Sequence, residues 1–201
     1  MNDPFALLGV PRRPWIDCEL LKQKFLSLSA DLHPDRLHHA NEAQKRAAQN
    51  QFTDLNAAYQ SLLDHRERLL CLSELELGKR APEIQNIPSE LMSLFLEVGK
   101  LCREADAFLR QKAEQTSPLL KVQLFERAQH SIERLHALQP EVTRSSDALL
   151  AEIKQLDGRW EELVAAEKQP RLQRLNEIAG LVNYFKKWNA QIQERIVQLS
   201  F

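Results

Sequence analysis

The sequence predicts an all-α protein in which a short helix and an antiparallel helical hairpin are followed by a helical bundle. Three observations carry this. Five glycines in 201 residues, abundant Leu, Ala, Gln, Glu, Lys and Arg, and few runs of β-branched residues favour helix over strand. Apolar residues recur at spacings of three and four, as in Leu21, Phe25, Leu28 and Leu32. Pro88, Pro118, Pro140 and Pro170 each stand just before a long amphipathic stretch, as proline in a first helical turn does. At 43% hydrophobic residues the chain is too apolar to stay disordered, and it is long enough for one large or two small cores.

Taken in order, Asp3 and Pro4 read as a cap and a first helical position, and Gly9 as the stop of a very short helix over 3–10. After Pro11 and Pro14, Asp17 stands as the cap of a second helix that runs to about Leu32. A third helix is predicted over 41–63, carrying Ala48, Phe52, Leu55, Tyr59 and Leu62 at helical spacing. Phe25, Leu28, Leu32, Phe52, Leu55, Tyr59 and Leu62 are accordingly expected in the core of the hairpin. A fourth helix over 64–77 stops at Gly78, and 79–88, with Pro82, Asn86 and Pro88, is the expected linker between a domain at 1–78 and a bundle at 89–201. Beyond it the prolines predict four helices, about 89–115, 118–138, 141–167 and 171–199. Leu149, Ile153, Leu156, Trp160, Leu163 and Val164 supply one of their apolar rows.

Between the second and third helices stands His33-Pro34-Asp35. Proline there removes a backbone donor and pushes His33 out of the helical region, so the helix stops and an imidazole and a carboxylate are held on a tight turn. No nucleophile or glycine-rich turn accompanies them, which argues against acid–base catalysis. The spacing of His33, His38 and His39 matches no closed zinc pattern. Neither a metal nor a cofactor is therefore expected, and no catalytic residue.

Net charge of −1 gives no field to draw nucleic acid or an anionic membrane. Met1-Asn2-Asp3-Pro4 lacks the basic start and apolar run of a signal peptide, and no stretch approaches the roughly 20 apolar residues of a membrane span, so a cytoplasmic location is expected. Cys18, Cys71 and Cys102, odd in number and widely spaced, are expected as buried reduced thiols.

With the tripeptide in this setting, residues 3–77 resemble a J-domain, the module with which co-chaperones engage DnaK-type ATPases. The returning helix adds Leu55-Asn56-Ala57-Ala58-Tyr59-Gln60-Ser61-Leu62. Phe5-Ala6-Leu7-Leu8-Gly9-Val10-Pro11, the loop His33-Pro34-Asp35-Arg36-Leu37, and Arg68 before Leu69-Leu70 are similar to the HscB-like co-chaperones of iron–sulfur cluster assembly. The resemblance implies a protein that is not itself an enzyme. It would dock on an HscA-like, DnaK-type chaperone through His33, Pro34 and Asp35, with Lys22, Lys24, Arg36, Lys45 and Arg46 around them, and stimulate its ATPase. Leu26, Ser27 and Asp31 stand where many J-domains carry Lys or Arg, which leaves open whether Arg12 and Arg13 compensate. The family's bundle carries an iron–sulfur scaffold protein on its first helix, and the matching residues here are Leu91, Met92, Phe95 and Leu96. They span more of a helix circumference than one buried stripe needs. A J-domain protein with a different client and a purely structural helical interaction protein are the other two readings.

Overall fold

Asp3 opens the first helix, α1 (Pro4–Leu8), by accepting hydrogen bonds from the backbone N–H groups of Phe5 and Ala6. Gly9 closes it in the left-handed region at φ 60°. The computed structural model describes residues 3–32, 41–79, 87–114 and 118–201, with the backbone alone over 118–123. The helices that follow are α2 (Cys18–Asp31), α3 (Glu42–Leu63), α4 (His65–Leu77), α5 (Ser89–Glu114), α6 (Pro118–Asp157) and α7 (Ala165–Ser200). A single 3-10 turn, Trp160–Glu162, separates the last two, and there is no strand among the described residues.

Local chemistry fixes the helix ends. Asp17 accepts from the N–H groups of Glu19 and Leu20 at the start of α2. Asn41 and Gln44 form a reciprocal capping box at the start of α3, each side chain bonded to the other's backbone N–H at 2.9 Å. Asp64 ends α3 and also begins α4, where its carboxylate accepts from Glu67 N–H. Gly78 ends α4 at φ 68°.

The chain divides into two compact units that do not follow chain order. The first comprises Met1–Glu83 and Glu152–Gly180. In it α1 and α2 pack on α3, and α4 lies against α3. Phe5, Leu8, Leu21, Leu62, Leu69 and Leu72 are fully buried there, and the end of α6 and start of α7 add Ile153, Trp160, Leu172 and Leu175. The second unit comprises Ile84–Ala151 and Leu181–Phe201. Its core holds Leu94, Val98, Leu101 and Phe108 of α5, Leu135, Leu138 and Val142 of α6, and Phe185, Trp188 and Ile192 of α7. Arg195 of α7 bonds Asp106 of α5 at 2.9 Å, and Arg134 of α6 bonds Glu104 of α5 at 2.6 Å.

Three expectations are corrected. The stretch after residue 88 forms three helices, because Pro140 and Pro170 lie inside α6 and α7. A proline inside a helix costs about 3 kcal/mol through its missing N–H and its clash one turn back. At Pro140 the buried Leu135, Leu138 and Val142 on either side offset this, at roughly 1.5–3 kcal/mol per buried side chain. What ends α6 is Gly158 followed by Arg159 at φ 60°, so Leu163 is only half-buried and Val164 is exposed.

The hairpin core is narrower than its pattern. Leu55 and Leu62 are buried, Phe25, Leu32 and Tyr59 half-buried, and Leu28 and Phe52 exposed. Two packed helices cover one side of each other only, so residues at the edge of the apolar stripe stay in water. Phe25 still stacks on Tyr59, with ring centroids 4.5 Å apart. Of the thiols, Cys102 is buried, Cys71 half-buried and Cys18 exposed, the last because it is the first residue of α2.

Candidate functional site

The tripeptide His33-Pro34-Asp35 and Arg36 lie outside the described residues; the helices on either side of them do not. Lys22 and Lys24 are exposed on α2, and Lys45 and Arg46 are exposed near the start of α3. Lys22 and Leu26 are one turn apart on α2 and both are in water, so this face offers a cation beside an apolar side chain. Lys24 lies two positions on and shares no row with Lys22. Lys45 is paired with Glu42 at 3.2 Å, an exposed pair worth little and easily exchanged for another anion.

Arg12 and Arg13 do not add to this surface. Arg12 is held by Asp3 at 2.6 Å, and Arg13 grips Asp157 of α6 through both Nε and Nη2. The hydrogen bond to Asp157 raises the Arg13 pKa further.

Residues 11–16 are fixed from three sides, an arrangement the sequence does not announce. Asp157 Oδ1 also accepts the backbone N–H of Trp15 at 3.0 Å. The Trp15 ring lies 4.3 Å from Lys154 Nζ and stacks on His65 at 5.7 Å. Beneath it Arg68 is fully buried, donating to Pro14 O at 2.9 Å and Leu62 O at 2.7 Å and contacting His65 Nδ1 at 2.6 Å. Burial lowers the Arg68 pKa to about 10, which leaves it charged at neutral pH. Burial, and then the charge of Arg68, also lower the His65 pKa. A neutral His65 accepts the Arg68 donor at Nδ1 and carries its own proton on Nε2. Arg68 was visible in the sequence as an arginine ahead of two leucines; no periodicity marks the two backbone carbonyls that it serves.

A second surface lies at the start of α5. Leu94 and Val98 face the core, whereas Met92, Phe95 and Leu96 are exposed, Leu96 at 58%, and Leu91 is half-buried. The Phe95 ring sits 5.9 Å from that of Trp188, tilted against it. Met92, Phe95 and Leu96 therefore present surface to water and Leu91 does so in part, and Glu90 and Glu97 flank them in water.

Residues 3–70 match the DnaJ domain family. The co-chaperone protein HscB homolog of Paraburkholderia phymatum is 38% identical over 82 residues, 39% of this chain and 47% of that protein. The co-chaperone protein HscB homolog of Mannheimia succiniciproducens is 32% identical over 80 residues, 40% and 46% of the two chains. The matched stretch thus spans about half the length of these curated relatives. Among solved structures, human co-chaperone protein HscB aligns over 96% of this chain and 81% of its own at TM-score 0.63 and 19% identity. Chaperone HscB from Vibrio cholerae aligns over 95% and 99% at TM-score 0.54 and 22% identity. Among the described residues no helix is long and apolar enough to cross a membrane. Residues 3–70 of this chain are thus similar to the DnaJ domain family, and the chain resembles the HscB co-chaperone proteins in sequence over that part and in fold over nearly its whole length.

Proposed function

We propose that this protein is a non-enzymatic co-chaperone that stimulates the ATPase of an HscA-like, DnaK-type chaperone and delivers an iron–sulfur scaffold protein to it, in the cytoplasm and without nucleic acid or membrane. The DnaJ match over residues 3–70, with His33-Pro34-Asp35 between α2 and α3, carries the reading. On it, residues 1–78 act on the chaperone, 79–88 link, and 89–201 hold the client.

Asp35 accepts charge-assisted hydrogen bonds from the ATP-bound partner, Pro34 fixes the turn that presents it, and His33 adds a ring donor. Lys22, Lys24, Arg36, Lys45 and Arg46 raise the association rate by charge more than they raise affinity. Each tenfold of ATPase stimulation requires about 1.4 kcal/mol of preferential transition-state stabilisation, within reach of two or three such contacts. Leu91, Met92, Phe95 and Leu96 form the client surface, a small apolar patch of the kind that marks protein contacts.

The test is single-turnover ATP hydrolysis by DnaK-type chaperones of the same organism, with this protein and with or without the scaffold protein. Wild type is expected to stimulate, and to stimulate further with scaffold, while His33→Gln and Asp35→Asn abolish both effects with the fold intact. Met92→Asp with Leu96→Asp is expected to remove only the scaffold-dependent part. Stimulation indifferent to scaffold would assign the bundle another client, and no stimulation of any partner would overturn the co-chaperone reading.

A further inference from the structure

A pocket of about 300 Å³ opens on the first unit between α1, α3 and α4. Its floor is apolar, formed by Pro4, Leu7, Ala57 and Leu70, and Leu7 is 38% exposed at its edge. Its rim is acidic: Asp54 comes from α3, Glu67 and Glu74 from α4, and neither lysine nor arginine lines it. Arg66 holds Glu67 at 2.5 Å, whereas among the described residues neither Asp54 nor Glu74 is in an ion pair. Cys71 lies in the wall, where burial and then the nearby carboxylates, Asp3 and Glu74 foremost, push the thiol up to about 11. It stays protonated at neutral pH, so the pocket's charge is that of its carboxylates alone.

We propose that this pocket docks a short segment of a partner polypeptide that places an aliphatic side chain on the Leu7–Leu70 floor and a lysine or arginine against Asp54 and Glu74. The volume is at the small end of ligand pockets, roughly 300–1,000 Å³, and fits one or two side chains rather than a folded element. An uncharged apolar occupant would desolvate the two carboxylates with nothing in return, and an anion would be repelled by them. A lysine or arginine satisfies both features, since its methylene stem lies along apolar surface while its head makes charge-assisted hydrogen bonds. No group of side chains among the described residues is arranged to hold a metal ion, and the apolar floor beside the carboxylates suits a cation that carries an aliphatic stem. No residue of α2 lines the pocket, so this docking is separate from the chaperone contacts proposed above and stands without them.

The test is fluorescence anisotropy of a capped, labelled hexapeptide alternating lysine and leucine, titrated with the full chain, together with amide shift mapping by NMR. Saturable binding is expected, with shifts at Leu7, Ala57, Ser61 and Leu70, weakening as salt screens the carboxylates. Asp54→Asn with Glu74→Gln is expected to weaken binding about tenfold or more, a loss of about 1.4 kcal/mol, and to leave ATPase stimulation unchanged. Leu7→Asn, which empties the floor and keeps the charge, is expected to weaken it as well, and a peptide alternating glutamate and leucine is expected not to bind. Absent saturation, shifts confined to other surfaces, or binding as tight as wild type in either the charge-neutralised or the floor variant would each overturn the proposal.

Discussion

Arg13 and Asp157 stand 144 residues apart in the chain and meet in a two-pronged ion pair inside one compact unit. The same carboxylate receives the Trp15 N–H, so one side chain from the end of α6 closes the loop between α1 and α2.

Asp157→Ala is expected to lower unfolding free energy by about 2–3 kcal/mol, read from urea unfolding followed by circular dichroism. A fully buried pair broken on one side costs about 3–5 kcal/mol; Arg13, with 35% of its side chain exposed, recovers some hydration and reduces that figure. A loss under half a kcal/mol would show that the pair is not a structural tie.

Arg68→Met keeps the volume and removes the donors. It is expected to cost about 3–5 kcal/mol, because the buried carbonyls of Pro14 and Leu62 each lose a charge-assisted partner worth roughly 1.5–3 kcal/mol. Arg68→Lys should recover only part of this, since one ammonium cannot reproduce the guanidinium fork toward three acceptors. Full recovery with lysine in the same urea experiment would contradict the geometry.

His65 predicts a pH dependence with a definite sign. Its folded pKa lies below 6.5, so as pH falls the unfolded chain takes the proton first and stability declines; above 6.5 the stability is fully present. Urea unfolding between about pH 7.5 and 5.5 should therefore show a slope that His65→Gln reduces. An unchanged slope in that variant, or an NMR titration of His65 above its usual range, would reverse the assignment.

Pro140→Ala is expected to raise stability by about 1–3 kcal/mol, because residue 140 regains an N–H for the carbonyl one turn back in α6. Thermal unfolding checks this. No gain would mean that the helix has already adjusted around the ring.

Asn41→Ala removes the capping box at the start of α3 and is expected to cost about 1 kcal/mol. Because Asn41 follows Asp35 by only six positions in the sequence, the same variant should also reduce ATPase stimulation, whereas Asp64→Ala, a cap at the far end of α3, should affect stability alone.

What the sequence made legible was local. The caps at Asp3 and Asp17 and the stops at Gly9 and Gly78 depend on groups within four residues of the backbone they serve, and the structure has each where it was expected, while the third helix starts near residue 41 as predicted with a capping box the sequence reading did not name. That the apolar start of α5 is too wide for one buried stripe was also readable, and Met92, Phe95 and Leu96 are exposed there while Leu91 is half-buried. Pro140 misled because proline's local penalty is overridden by distant packing, a quantity that periodicity does not measure. Phe52 and Leu28 misled in the opposite direction: a helical row is apolar whether or not a neighbour arrives to cover it. The partners of Arg68, Trp15 and Asp157 were not legible, because they are backbone groups and rings brought together from three parts of the chain.

The first unit takes residues from both Met1–Glu83 and Glu152–Gly180. A ribosome making this protein therefore releases α1 to α4 long before the Ile153, Trp160 and Leu172 that complete their core. During that interval the N-terminal helices are held by local contacts alone, with Arg13 unanswered and apolar surface in water. Completion of the unit then waits on closure of the long loop between its two segments, so the slowest of its native contacts to form are those between Met1–Glu83 and Glu152–Gly180.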